Sequence, residues 1–146
     1  MTSKKFNLHD TIGHMVNTTA RQINNSIARA FSKAGHDITV EQWEVLMALW
    51  NRDGQCQHEL ATFCLKDRPS ITRILDNMEK RELVVRVSSQ VDRRNKGVHL
   101  TEKGKSLQDP LNNIAKAATK VALKNIDKDV IESTKAFLKM VQANLH

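Results

Sequence analysis

The sequence is poor in the residues and motifs that enzymes and metal sites use. Glycine makes up only 5 of the 146 residues, and the chain contains no Walker loop, no GxSxG motif and no HExxH motif. Its six histidines are scattered, and Cys56, His58, Cys64 and His99 match no metal-ligand spacing. We therefore expect no enzyme activity, no metal and no cofactor.

Cysteines and long apolar runs are also scarce. The two cysteines form no CxxC pair, which favours a reducing compartment over a disulfide scaffold. Apolar runs last only a few residues, too short to cross a membrane, and the N-terminal segment turns polar too soon for a signal peptide. These absences predict a cytoplasmic protein with no membrane partner.

Positive charge, in contrast, is abundant and concentrated. Of the net charge of +7, residues 66–105 carry +5, residues 106–146 carry +2 and residues 1–65 are neutral. Such a concentration is the electrostatic footprint of a nucleic-acid-binding segment. An anionic membrane is a competing partner, but the chain has no basic amphipathic helix with Trp or Phe to insert.

The basic segment starts with a helix whose two faces differ. Asp67 fits an N-cap, and Pro69 fits the first turn. Four apolar residues follow with the spacing of one buried stripe: Ile71, Ile74, Leu75 and Met78. The opposite face suits a DNA major groove, although a solvated surface explains the helix alone equally well. The candidate DNA-binding residues are Arg68, Ser70, Thr72, Arg73, Asn77 and Lys80.

Two strand-like segments and a basic tip follow this helix. Residues 83–88 and 98–101 are rich in β-branched side chains, and the tip between them reads SQVDRRNKG. Arg93, Arg94 and Lys96 suit a phosphate backbone or a narrow minor groove. We expect Asp92 to pair with a nearby arginine and to hold the tip in shape.

Amphipathic helices are predicted on both sides of this segment. Apolar residues from Leu8 to Phe31 predict one long helix that Gly35 ends. Thr39 and Gln42 fit a capping box for a second helix. The expected buried stripe of that helix is Val40, Trp43, Met47 and Trp50, with Leu46 beside it.

The C-terminal part predicts two further helices. Thr101 fits the N-cap of the first, in which Pro110 predicts a kink or a short break, and Asp127 fits the N-cap of the second. The residues of the last helix expected to face inward are Val130, Ile131, Phe137, Leu138, Val141 and Leu145. The terminal helices can be buried against each other across a two-fold axis, or as a three-helix cap on a monomer.

Three motifs together resemble the winged helix-turn-helix of the MarR family of bacterial transcription regulators. They are ELATFCLKDRPSITRILDNMEKRELVVR, the DRR of the tip and LTEKG at residues 100–104. The resemblance covers about half of the chain closely. It implies that Arg94 enters the minor groove and that Arg93 contacts phosphate. It also implies a homodimer on double-stranded DNA with a pseudo-palindromic operator.

The predicted fold is mainly α with a small antiparallel β-wing, a winged helix-turn-helix core flanked by N- and C-terminal dimerisation helices. Residues 1–34 would form the N-terminal dimerisation helix, 35–104 the DNA-binding domain and 105–146 the C-terminal dimerisation helices. The resemblance further implies a pocket for a small aromatic or anionic effector. Its candidate lining residues are His14, Arg21, Trp43 and Met47.

The leading functional hypothesis is therefore a sequence-specific, dimeric repressor that a small molecule releases from DNA. One alternative is a non-specific architectural DNA-binding protein with the same fold, and another is a winged-helix module that binds protein. A third is a redox-responsive repressor, because Cys56 lies just before a helix N-terminus, where a thiol pKa can fall. The peroxide-sensing branch of the family carries its cysteine in the N-terminal helix, where this sequence has none.

Overall fold

A computed structural model describes residues 5–88 and 96–146. A three-stranded antiparallel sheet has the order β1–β3–β2, with β1 at Gln55–Cys56, β2 at Val84–Ser88 and β3 at Lys96–Leu100. The helices of the described ranges are α1 (Ile12–Lys33), α2 (Val40–Asn51), α3 (Gln57–Cys64), α4 (Arg68–Lys80), α5 (Glu102–Ser106), α6 (Gln108–Ala122) and α7 (Lys128–Asn144). The predicted mainly α fold with a small antiparallel wing is confirmed.

The N-terminal helix starts later than predicted. A short 3₁₀ turn covers Leu8–Asp10, and α1 begins only after Thr11. The backbone of Thr11 is extended, and its hydroxyl accepts a hydrogen bond from the His14 N–H as the N-cap. The predicted stop is confirmed, because Gly35 has a φ of +86°. Only the second half of α1 reaches the core, through Ile27 and Phe31. Its first half leaves Ile12, Met15 and Val16 exposed.

Helix α2 lies at the centre of the domain. Its capping box is confirmed, since Thr39 accepts from the Gln42 N–H at 3.0 Å and Gln42 accepts from the Thr39 N–H at 3.2 Å. The predicted stripe is confirmed in part, because Val40, Trp43 and Trp50 pack half-buried against the core and Leu46 is buried. It is incomplete, since α2 contacts α1, α3, α4, α6 and β3 and is covered from several sides. The residues it buries most deeply are Val45, Leu46, Ala48 and Leu49.

The helix-turn-helix and the wing pack against α2. Helix α3 ends at a left-handed residue, Leu65 with a φ of +53°, and α4 follows after the Asp67 cap. Strand β1 was not predicted, and it pairs Gln55 with Val98 of β3. The second and third strands pair from Val84 opposite Leu100 to Ser88 opposite Lys96. The pairing with β1 thereby connects the wing to the rest of the domain through β3.

The C-terminal part contains the break that the sequence predicted, but the break lies at Leu107 and not at Pro110, so three helices replace the expected two. Thr101 accepts from the Gly104 N–H at 3.1 Å as the N-cap of α5, and a short break at Leu107 precedes α6. Pro110 lies in the first turn of α6, where its missing N–H leaves no helical bond unmade. Helix α7 buries none of its residues in the single chain, so its predicted inward face has no partner there. In the described ranges, no helix is long and apolar enough to cross a membrane.

Candidate nucleic-acid interface

Helix α4 presents two faces of opposite character. The predicted buried stripe is confirmed, with Ile71, Ile74, Leu75 and Met78 all in the core. On the other side Ser70 and Thr72 are half-buried. The exposed residues of that side are Arg68, Pro69, Arg73, Asp76, Asn77 and Lys80. A cationic and amide-bearing surface of this kind has the donors and acceptors that base edges require.

The start of α4 is held by its cap. The Asp67 carboxylate accepts a hydrogen bond from the Ser70 N–H at 2.8 Å. Hydrogen bonding from Ser70 holds the pKa of the Asp67 carboxyl below its usual value. The cap is therefore charged at neutral pH, and the first turn of α4, which carries Arg68 and Pro69, starts from a defined position.

Thr72 differs from its neighbours on the predicted DNA-binding face. Its hydroxyl accepts a hydrogen bond from the Gln57 side-chain amide of α3 at 3.1 Å. The structure therefore places Thr72 at the junction of the two helices, with its oxygen already engaged, and Arg73 beside it in solvent. The sequence analysis did not identify Gln57 as a partner of Thr72, because the two residues are fifteen positions apart and no local motif joins them.

Arg86 of β2 reaches across to α4. Its guanidinium lies 2.8 Å from the Asp76 carboxylate and 3.6 Å from that of Glu79, and it donates to the Thr72 carbonyl at 3.2 Å. Asp76 belongs to the exposed polar face of α4, yet its charge is paired here. No local pattern of residues indicates this contact, because it joins a strand to a helix.

A basic groove lies between α3, the start of α4 and the wing. Its volume is about 600 Å³, and its cations are Lys66, Arg68 and Lys96. Arg68 and Lys96 were predicted as DNA contacts, whereas Lys66, next to the Asp67 cap, was not. The neutral side chains beside them include Gln57 and Thr62, and His58 also lines the groove. Three cations, with no acid among the described residues of the lining, form a track suited to phosphates.

The wing-tip residues Asp92, Arg93 and Arg94 lie outside the described residues. The predicted minor-groove contact of Arg94, the phosphate contact of Arg93 and the structuring role of Asp92 stay predictions. Lys96, at the start of β3, is exposed.

A second, open groove runs between α2, α6 and α7, with a volume of about 1040 Å³. It brings together two of the four predicted effector residues, Trp43 and Met47, and the Trp43 indole donates to Asn112 at 3.1 Å. The other two do not line it. His14 packs edge-on against His9 with ring centroids 5.0 Å apart, and Arg21 is exposed on α1.

The two cysteines have different surroundings. Cys64 is buried in α3, and burial, with a smaller contribution from the Glu44 carboxylate, raises the pKa of its thiol to about 11. Cys56 is half-buried at the N-cap of α3. In the described parts of the chain, no three His, Cys, Asp or Glu side chains come together as a metal site.

The chain is similar to transcriptional regulators over most of its length. The MarR family model matches residues 38–96. The HTH-type transcriptional regulator MgrA of Staphylococcus aureus is 28% identical over 120 residues, which are 82% of this chain and 79% of that protein. A MarR-family regulator from Rhodococcus sp. RHA1 superposes with a TM-score of 0.81 at 26% identity, covering 92% of this chain and 94% of the other. CouR from Rhodococcus jostii RHA1, solved with p-coumaroyl-CoA, gives 0.78 at 25% identity with the same coverage.

Proposed function

This chain belongs to the MarR family of transcriptional regulators, and from that premise we propose that it is a dimeric, sequence-specific repressor controlled by a small molecule. The observation that carries the proposal is the exposed face of α4, where Arg73, Asn77 and Lys80 lie opposite a fully buried stripe. The family is one of regulators, not enzymes. The protein would act on DNA in the cytoplasm.

DNA would be contacted by three elements of each chain. Helix α4 enters the major groove, where Arg73 pairs with a guanine and Asn77 with a base edge or phosphate. The basic groove formed by Lys66, Arg68 and Lys96 follows the adjacent phosphates. The wing arginines Arg93 and Arg94 enter the neighbouring minor groove, as the resemblance implies.

A homodimer is supported by apolar surface at both ends of the chain. The exposed apolar residues of these ends include Leu8, Ile12, Met15, Val16, Val130, Phe137, Met140 and Leu145. Contiguous apolar surface of this kind marks an interface, and a two-fold dimer buries it twice. Residues 1–34 and 105–146 would then be the dimerisation helices around domain 35–104. Two α4 helices would read half-sites about 34–36 Å apart.

The open groove beside Trp43 would hold the effector. Its apolar side comes from Trp43, Met47 and Ile131, and the positive charges of Lys116 and Lys120 exceed the single negative charge of Asp109 in the described lining. This combination favours an aromatic, anionic ligand, and the related CouR was solved with an aromatic acyl-CoA. A ligand that binds one placement of α6 and α7 better than another would change the spacing of the two α4 helices. DNA affinity would change with it.

The proposal is tested by selecting genomic fragments with the purified protein at about 150 mM salt, where non-specific phosphate binding is weakened. An enriched palindrome with half-sites one helical turn apart is expected. Enrichment without a common motif would favour the architectural alternative. An absence of binding with and without candidate aromatic acids would favour the protein-binding module.

Arg73→Ala is expected to relax the base preference of the protein. Loss of one bidentate pair should cost about 1–3 kcal/mol of discrimination at one base pair of each half-site. The measurement is binding to the selected fragment and to its single-base variants. Lys135→Ala on α7 removes the same charge from the exposed polar side of another helix and serves as the control. Equal losses of base discrimination in both variants would exclude a direct contact between Arg73 and a base.

The thiol-based alternative is tested by the different reactivities expected of the two cysteines. With a pKa of about 11, Cys64 stays protonated at neutral pH, so iodoacetamide should alkylate Cys56 in the folded protein and spare Cys64. Peptide mass spectrometry of native and unfolded samples measures this. Cys56→Ser should keep ligand-responsive DNA binding. Oxidant-induced loss of DNA binding in the wild type but not in Cys56→Ser would favour redox control.

A further inference from the structure

Among the described residues, Arg86 is the one largely buried cation that joins the wing to α4. Its side chain is only 16% exposed. It stands on β2 beside the buried Val84, on the side of the sheet that packs against α4. Its three partners, Thr72, Asp76 and Glu79, lie on successive turns of α4. A single side chain thus holds about two turns of α4 against the wing.

The charge balance of this contact matters for DNA binding. Asp76 lies one turn after Arg73 and one turn before Lys80 on the exposed face of α4. An unpaired carboxylate there would repel DNA phosphates and compete for both cations. The Arg86 guanidinium, itself largely buried, lies 2.8 Å from Asp76 and pairs that charge.

The geometry also limits what Arg86 itself can do. Two of its nitrogens are committed to Asp76 and to the Thr72 carbonyl, and Nε lies buried 3.6 Å from Glu79. A guanidinium held in this way has a fixed orientation and little freedom to extend towards a base. Removing it would leave two carboxylates facing a vacated site on the helix that reads DNA.

We infer that Arg86 is a positioning residue for DNA recognition. It fixes the orientation of α4 relative to the wing, so that helix and wing engage adjacent grooves together, and it neutralises Asp76 on the reading face. This inference rests on the proposed function, because it assigns the residue a role within the same DNA interface.

The test is a double-mutant cycle with Arg86→Met, Asp76→Asn and the two combined. The probe is a DNA fragment that the wild-type protein selects, together with its single-base variants. Arg86→Met is expected to lower affinity for the fragment about tenfold and to reduce base discrimination. Because the lost affinity comes partly from the exposed acid, adding Asp76→Asn should restore at least about threefold.

Arg81→Met is a matched control. Arg81 follows α4, is similarly part-buried, and pairs with Asp37 at 2.9 Å and with the Gln42 amide oxygen at 3.1 Å, so it joins α4 to the start of α2 and not to the wing. The Arg81→Met variant should be less stable than the wild type, but its discrimination between bases should change little. Thermal unfolding of all variants shows whether the fold is kept.

Hydrogen exchange of the free protein supplies a readout that needs no DNA. In Arg86→Met, the amides of β2 and of the second half of α4 should exchange faster, while those of α2 keep their rates. Unchanged exchange, or unchanged affinity on a fragment that the wild type selects, would overturn the inference. A salt slope lower by about one with no rescue by Asp76→Asn would show a direct phosphate contact instead. A wild type that selects no fragment refutes the proposed function, and exchange still decides the role of Arg86.

Discussion

Replacing Gly104 with alanine is expected to lower the free energy of unfolding by about 3 kcal/mol, a large effect for one methyl group. The new Cβ would lie 2.3 Å from the Leu83 carbonyl oxygen and 3.2 Å from the Leu100 side chain. The carbonyl is part of the backbone and accepts from the Thr101 N–H and hydroxyl, each at 3.1 Å. It cannot turn away without breaking both bonds.

A second contact at Gly104 prevents relief from the other side. Its own carbonyl accepts a hydrogen bond from the Trp50 indole at 2.9 Å, so a shift of α5 away from Leu83 would disturb its contact with α2. Urea unfolding at fixed protein concentration measures the loss. Gly13→Ala is the control, because nothing lies within 4 Å of its Cβ position in α1. That variant should gain up to about 1 kcal/mol, and equal losses in both would contradict the steric argument.

Phe137→Glu is expected to abolish the proposed dimer at micromolar concentration. Phe137 lies on α7, which buries nothing in the single chain, and on the same side as Val130 and Val141. A two-fold interface would place two new carboxylates in apolar surroundings. Because desolvation of these carboxylates costs several kcal/mol, the dissociation constant of the dimer should rise at least about 100-fold.

Sedimentation over a range of protein concentrations measures this change. Gln142→Glu adds the same charge to the polar side of the same helix and should leave the dimer intact. The Phe137 variant should also bind the selected DNA with the low affinity of one half-site, since linkage between the two sites is lost. A wild-type monomer, or a stable dimer of both variants, would contradict the proposed interface.

Local patterns predicted the parts of the fold that neighbouring residues determine. The Asp67 cap, the stripe through Met78, the Thr39 capping box and the Gly35 stop depend on residues within a few positions of each other, and all are confirmed. Strand β1 was missed because two residues are too few to show alternation.

Contacts between distant segments account for most of what the sequence did not show. The deeply buried Val45, Ala48 and Leu49 of α2 were missed because helices from both ends of the chain cover it, and periodicity assumes one buried side. The pairing of Gln57 with Thr72 and of Arg86 with Asp76 joins separate elements, and each residue alone resembles an ordinary surface position. The roles assigned to the DNA-binding and effector residues stay predictions.

The placement of the two tryptophans gives the protein two separate optical signals. The chain has no tyrosine, so its intrinsic fluorescence comes from Trp43 and Trp50. Trp43 lines the open groove, where a bound ligand would replace the water around its indole and shift its emission. Trp50 is bonded to Gly104 at the base of the wing, away from that groove. Emission from Trp43 would therefore follow occupancy of the proposed effector groove, and emission from Trp50 would follow the contact between α2 and α5.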